Sequence, residues 1–280
     1  MKKITILVSV FFIGLIIGCS DDATTDIPKD LSAIKMLNVS YGSDAEQVYD
    51  IYLPQNRTEN TKTMILVHGG GWNSGDKSDM DPFKDLLKEQ LPNIAIVNIN
   101  YRLADENNVP HPMQVNDITA VVEHLKSNQS DYVISDTIGF LGVSAGGHLS
   151  LLWSYAYDTN AKVSMVCSIV GPTNLIDEAY TSSTNPDIQA LITQYGADVD
   201  FLKSASPLYQ VKATSPPTQL FYGGQDPLIP NSQGQDLNSK LQELGVTKEF
   251  TFYPNAGHGW VGLELLDTSL KLKAFIELHL

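Results

Sequence analysis

The chain has 280 residues, 42% of them hydrophobic and 18% charged, with 18 basic against 32 acidic side chains and a net charge of −14. That length fits one α/β domain with a sizeable core, and that balance excludes a disordered chain. It also speaks against nucleic acid or an anionic membrane surface as a partner, while it leaves the substrate open beyond disfavouring polyanions.

The N terminus opens on Met1-Lys2-Lys3, followed by an almost wholly apolar run over 4–17. Such a run is too short for a comfortable transmembrane helix and suits the apolar core of a signal segment. It ends at Gly18-Cys19 and turns polar at Ser20-Asp21-Asp22. This resembles a bacterial lipoprotein signal. The resemblance implies that residues 1–18 are removed, that Cys19 carries the lipid, that 19–33 form a polar tether, and that the protein is held to a membrane outside the cytoplasm. The plain alternative is a secretory signal in which Cys19 is incidental. The other cysteine, Cys167, lies in the apolar run 163–170 and reads as a small core residue, so no disulfide joins the two.

The globular domain is expected over 34–280. Alternating patterns at 36–41 and 47–53 read as paired strands around a Gly42-Ser43-Asp44 turn, with Pro54 ending the second. The run 63–67 is continuously apolar, as in a strand buried on both faces of a sheet. Directly after it stands His68-Gly69-Gly70-Gly71-Trp72. Consecutive glycines there cost chain entropy, and the functional reason for them is a loop whose N–H groups face a cleft and stabilise a developing oxyanion. The bland reading is a flexible turn. His68 is expected to order this loop; Trp72 either closes over the cleft or packs. A helix follows over 81–90, with Phe83, Leu86 and Leu87 on one side, then a buried strand over 93–100. Val115, Ile118, Val121, Val122 and Leu125 keep helical spacing over 113–128, where Asp117 reads as structural. His111, set between prolines, is a candidate for the cleft rim.

The strand expected over 138–141 runs into Gly142-Val143-Ser144-Ala145-Gly146, followed by a small-residue helix. A strand–corner–helix of this composition pushes the serine hydroxyl out on a strained turn, and its flanking glycines let strand and helix nearly touch. The corner also aims the Ala145 N–H, and the positive end of the helix, at the space beside Ser144. Further strands are expected over 163–170, 216–222 and 249–253 and a helix over 231–244, with a terminal helix carrying Leu270, Leu272, Phe275, Ile276 and Leu280. Between them, 171–217 reads as an irregular excursion above the strand ends, with one short helix near 188–195. The alternation of strand and helix argues for an α/β fold: a mostly parallel, doubly wound sheet flanked by helices.

A serine hydroxyl becomes a nucleophile when a base takes its proton, and the base needs a carboxylate to fix its tautomer. His258, in a glycine-flanked loop after the last strand, is the expected base. Asp226, just past the 216–222 strand, is the expected acid, with Asp177 and Asp236 as rivals. His148 stands one helical turn beyond Ser144, an angle that suits a place beneath the corner better than proton transfer. No metal-ligand cluster and no nucleotide loop is read, so neither metal nor cofactor is expected.

With these residues placed, the sequence resembles the α/β-hydrolase esterases, near the hormone-sensitive-lipase-like and the bacterial feruloyl and acetylxylan esterase-like groups. The matching stretches are Asp50-Ile51-Tyr52-Leu53-Pro54, His68-Gly69-Gly70-Gly71-Trp72, Tyr101-Arg102-Leu103, Gly142 to Leu149, Ser206-Pro207, Gly224-Gln225-Asp226 and Gly257-His258-Gly259. One departure is Asp105-Glu106 after Ala104, where relatives often carry proline and glutamate. The resemblance implies the α/β-hydrolase fold, a triad of Ser144, Asp226 and His258, and an oxyanion hole of the Gly70, Gly71 and Ala145 N–H groups. It further implies a carboxylesterase working through an acyl-enzyme on short acyl, or carbohydrate-borne acetyl or feruloyl, esters. A small-molecule or oligosaccharide ester is then the partner. A small serine peptidase, a formamidase and a non-catalytic binding lipoprotein are the alternatives.

Overall fold

Eight strands make one sheet, in the order β1-β2-β4-β3-β5-β6-β7-β8, in the computed structural model, which describes residues 31–280. The strands are β1 (Ile34–Ser40), β2 (Val48–Leu53), β3 (Thr63–Val67), β4 (Ala95–Ile99), β5 (Ile138–Val143), β6 (Val163–Ile169), β7 (Thr218–Gly223) and β8 (Lys248–Tyr253). β2 runs antiparallel to both of its neighbours, and every pair from β4 to β8 is parallel. The central strands explain themselves chemically. Every residue of β3, β4 and β7 is buried, because helices cover both faces and leave no polar side to alternate with. The edge strands β1 and β8 carry the exposed residues.

The helices are α1 (Asp81–Gln90), α2 (Pro110–Ser127), α3 (Gln129–Tyr132), α4 (Ala145–Leu152), α5 (Glu178–Thr181), α6 (Pro186–Thr193), α7 (Val199–Ser204), α8 (Pro207–Gln210), α9 (Asn231–Glu243) and α10 (Leu263–His279). A single π-turn, Trp153–Tyr157, extends α4. α2 begins earlier than its apolar spacing suggests, but His111 inside it is extended (φ −108°, ψ 132°). Pro112 forces that, since the residue before a proline is pushed out of the α region. The regular helix therefore starts near Met113, as expected. The compact unit begins at Leu31 rather than at 34: the Leu31 carbonyl accepts from the Asn56 N–H at 2.8 Å and the Ser32 carbonyl from Arg57 Nη1 at 2.6 Å. Cys19, the signal segment and most of the tether lie outside the described residues.

The excursion over 171–217 departs most from expectation. Instead of one short helix it holds four, α5 to α8. Side-chain caps start three of them: Asp177 accepts from the Ala179 N–H, Asn185 from the Asp187 N–H and Asp198 from the Phe201 N–H. These short polar caps satisfy helix-start donors and make helices this short viable.

Candidate active site

Three loops at the carboxyl ends of β5, β7 and β8 meet here. The first is the corner between β5 and α4. Ser144 sits at φ 54°, ψ −121°, a backbone region that costs a non-glycine residue about 1–3 kcal/mol. Its own N–H donates to the Ile169 carbonyl at 2.8 Å, and its carbonyl accepts from the His148 N–H at 3.0 Å, which fixes the corner. The glycines around it are steric necessities. A Cβ on Gly142 would stand 2.1 Å from the Gly146 carbonyl oxygen, and one on Gly146 would stand 2.1 Å from the Val67 carbonyl oxygen. α4 thus lies directly on the ends of β3 and β5, and the hydroxyl stands clear of the chain.

The second and third loops carry the acid and the imidazole. They are joined backbone to backbone: Gly224 N–H donates to the Tyr253 carbonyl and Gln225 N–H to the Ala256 carbonyl, both at 2.8 Å. A Cβ on Gly223 would collide with the Gly257 carbonyl oxygen at 2.2 Å, so this approach needs glycine. Gly223, the last residue of β7, and Gly224 just after it mark this close contact in the sequence. The Asp226 side chain is buried: one carboxylate oxygen accepts from the Leu228 and Ile229 N–H groups at 2.8 and 3.0 Å, and the other lies 2.8 Å from His258 Nδ1. His258 Nε2 lies 3.0 Å from Ser144 Oγ. The structure therefore brings Ser144, His258 and Asp226 into one hydrogen-bonded line. The rivals are engaged elsewhere: Asp177 caps α5 and accepts from Ser232 and Gln233, and Asp236 sits on α9.

The glycine loop after β3 closes the site from the other side. Gly70, Gly71 and Trp72 take successive positive φ values of 104°, 57° and 67°. Gly70 cannot be replaced by another residue type: its φ lies outside the usual left-handed range, and a Cβ would meet the Ser74 carbonyl oxygen at 2.0 Å. His68 orders the loop, as expected. Its ring stacks on Tyr101 at 4.2 Å, its Nδ1 lies 2.7 Å from the Gly69 carbonyl, and Tyr101 donates its hydroxyl to the His68 carbonyl at 2.8 Å. Burial lowers the His68 pKa, which favours the neutral ring.

A cavity of about 390 Å³ opens over Ser144 and His258, and Gly70, Gly71 and Ala145 line it together with them. Ala145 is the first residue of α4, where helix N–H groups have no partner within the helix. Most of the remaining wall is apolar, with Trp72, Met80, Phe83, Leu191, Leu228 and Ile229 in it. Phe83 is legible in the sequence only as part of a helix face, and Met80, Leu191, Leu228 and Ile229 carry no sequence signal of this role, because they converge only through tertiary structure. Asp79 adds one carboxylate at the wall, which disfavours anionic groups there. A smaller cavity of 170 Å³ opens at Thr63 and Ile138, the first residues of β3 and β5, and holds none of these groups.

Two expected contacts resolve differently. Trp72 combines its two readings: it lines the cavity over Ser144 yet is only 1% exposed, because its indole packs against α4 and donates its N–H to His148 Nδ1 at 3.2 Å. His111 does not reach the rim. It is buried against Phe201 and Tyr157, at 5.5 and 6.4 Å between ring centroids, and lies outside the cavity over Ser144. The extended backbone before Pro112 turns the imidazole toward Phe201 of α7.

This strand order, with a serine-bearing corner after β5, defines the α/β-hydrolases, and the protein has that fold. Within that class the chain belongs to the BD-FAE family, whose profile matches residues 49–241. It is similar to Esterase LipC of Mycobacterium tuberculosis, 24% identical over 250 residues that cover 82% of this chain and 60% of LipC. It is also similar to a probable isoprenylcysteine alpha-carbonyl methylesterase of Arabidopsis thaliana, 23% identical over 250 residues that cover 79% of this chain and 50% of that protein. The chain thus spans between half and three fifths of the length of these curated relatives. Among solved structures, a truncated carbohydrate esterase from gut microbiota superposes with a TM-score of 0.72 at 22% identity, over 88% of this chain and 98% of that one.

Proposed function

We propose that the protein is a serine-dependent carboxylic ester hydrolase. The observation that carries this reading is the unbroken line from Ser144 Oγ through His258 to Asp226, at 3.0 and 2.8 Å, at the floor of a largely apolar cavity. Ser144 Oγ attacks the ester carbonyl carbon while His258 Nε2 takes its proton. The carbonyl oxygen becomes an oxyanion facing the Gly70, Gly71 and Ala145 N–H groups, each such donor being worth about 10²–10³ in rate. His258 then gives the proton to the departing alkoxide. A water enters, loses a proton to His258 and attacks the acyl-enzyme, which returns Ser144 and releases the acid. Asp226 holds the imidazole in the tautomer with Nδ1 protonated and stabilises the imidazolium as it forms.

The cavity's size and lining favour a short acyl or aromatic acyl group. Sugar-borne acetyl or feruloyl esters are the proposed substrate class, supported by the likeness to a carbohydrate esterase. The esterase names of the curated relatives support ester over amide. A lipid on Cys19 would hold the enzyme at a membrane outside the cytoplasm, where such polymer fragments are met; metabolic labelling with palmitate, abolished by Cys19→Ser, tests that part.

The central test uses p-nitrophenyl acetate and a fluorophosphonate probe. Ser144→Ala should lower kcat by at least about 10⁴ and abolish labelling. Wild-type turnover by that variant would refute the reading. A panel of acetyl, butyryl and feruloyl esters, acetylated xylan and proline amides then ranks the substrates, and preference for the amides would favour a peptidase.

A further inference from the structure

His148 is fully buried one turn beyond Ser144, and catalysis as described above does not use it. Its contacts define its state. An indole N–H can only donate, so His148 Nδ1, 3.2 Å from Trp72 Nε1, must present a lone pair. A carbonyl can only accept, so Nε2, 2.7 Å from the Ala205 carbonyl oxygen, must carry the proton. One neutral tautomer satisfies both. Both ring nitrogens are thereby occupied away from Ser144 Oγ, which His258 serves.

The bond to Trp72 lies where the glycine loop needs a hold. Trp72 keeps a side chain at φ 67°, a conformation that costs an L-residue about 1–2 kcal/mol. Its carbonyl is fixed by Gln114 Nε2 at 2.6 Å and by the Ala104 N–H at 2.9 Å. Its indole is fixed by His148 and set edge-on to Tyr195 at 5.0 Å. The Gly70 carbonyl accepts from Ser74 Oγ at 2.7 Å and the Gly71 carbonyl from Gln194 Nε2 at 3.0 Å, but neither bond ties the loop to α4. His148 belongs to α4, whose first residue, Ala145, supplies the other N–H group facing the cavity. An apolar side chain would fill this space without the cost of burying an imidazole. The polar ring is explained by what it connects.

We propose that His148 is a positioning residue: by accepting the Trp72 indole N–H it locks the glycine loop to the nucleophile helix and so sets the two halves of the oxyanion hole at their working distance. This rests on the ester-hydrolase reading above.

The test compares His148→Leu, Trp72→Phe, the double variant and His148→Asn, whose amide oxygen takes the place of Nδ1. His148→Leu should lower kcat about 10- to 100-fold, less than outright loss of an oxyanion donor, with KM unchanged within about twofold. Affinity for a trifluoromethyl ketone, which adds to serine only as a tetrahedral oxyanion, should fall by the same factor. Trp72→Phe should reproduce both effects. The double variant should be no worse than the poorer single one, because both remove the same bond. His148→Asn should recover most of the loss. Native kcat and ketone affinity in both His148→Leu and Trp72→Phe overturn the proposal, as do losses that multiply in the double variant. If His148→Leu does not fold, Trp72→Phe and His148→Asn decide alone. Wild-type protein that neither hydrolyses esters nor reacts with a fluorophosphonate defeats the ester-hydrolase reading and this inference with it. Active wild type with indifferent variants defeats this inference only.

Discussion

The corner at 142–147 and the excursion at 171–217 border the same cavity and are built by opposite means. At the corner, position is set by hard contacts between backbones: Gly142 against Gly146, and Gly146 against the end of β3. A side chain has no room there, so the serine hydroxyl has one place to be. In the excursion, position is set by short helices with polar caps and by side chains such as Leu191 leaning over the loop. Several neighbours can shift a little to accommodate a change. The chemistry is therefore mounted on the part that cannot adjust, and the substrate wall on the part that can.

A glycine-to-alanine change in each region separates them most sharply. Gly146→Ala places a Cβ 2.1 Å from a backbone oxygen, so the strand or the helix must move; we expect a loss of about 3–5 kcal/mol or no soluble protein. Gly196→Ala lies in the excursion at φ 76° with nothing within 4 Å of the added carbon. Only left-handed strain remains, about 1 kcal/mol. Urea unfolding of both variants checks the contrast, and equal losses would erase it.

Acid should act on the rigid side. Burial lowers the His148 pKa from 6.5 to about 4. Tyr195 and Trp72 pack against the ring, and His111 is the nearby titratable group that lowers it further. Above 6.5 the folded and unfolded chains both hold this histidine neutral. Between 6.5 and about 4 the unfolded chain binds a proton that the folded one refuses, so stability falls as pH falls, by about 3 kcal/mol from this group. Burial lowers His68 and His111 as well, and they add with the same sign. Unfolding free energy measured from pH 7 to 4 should show this slope, and His148→Asn should flatten it.

The same contrast explains what the sequence revealed. The corner was legible because its constraint is local: two glycines flanking a serine, after an apolar strand, leave few structures open. The order Ser144, Asp226, His258 was legible because each falls just past a strand, and the parallel strands announced themselves by runs without polar alternation. His111 and Trp72 were not legible in the same way. Which way a ring turns depends on distant partners, here Phe201 and Tyr157 for one and His148 for the other. Nor was the cavity wall, whose members come from the glycine loop, Met80 just before α1, α1 itself, α6 and the loop after Asp226. The short helices α5 to α7 stood between these cases. Asp177, Asn185 and Asp198 are recognisable caps, and α6 matches the short helix expected near 188–195, but α5 and α7 carry too little apolar periodicity to be read by spacing.

The smallest expected effect probes the adjustable wall. Leu191 is half-buried on α6, lines the cavity over Ser144, and its Cδ2 would lie 2.8 Å from a Cβ on Gly71. Leu191→Ala removes three carbons from that wall without touching the triad. A longer acyl chain can then occupy the vacated space, at roughly 0.8 kcal/mol per methylene buried. The ratio of kcat/KM for hexanoyl over acetyl p-nitrophenyl esters should rise about fivefold, while the melting temperature moves by only a few degrees because α6 has few contacts to lose. An unchanged ratio would mean that the acyl group lies elsewhere, along Met80 and Phe83 on the opposite wall, and would make the excursion a cover for the alcohol portion instead.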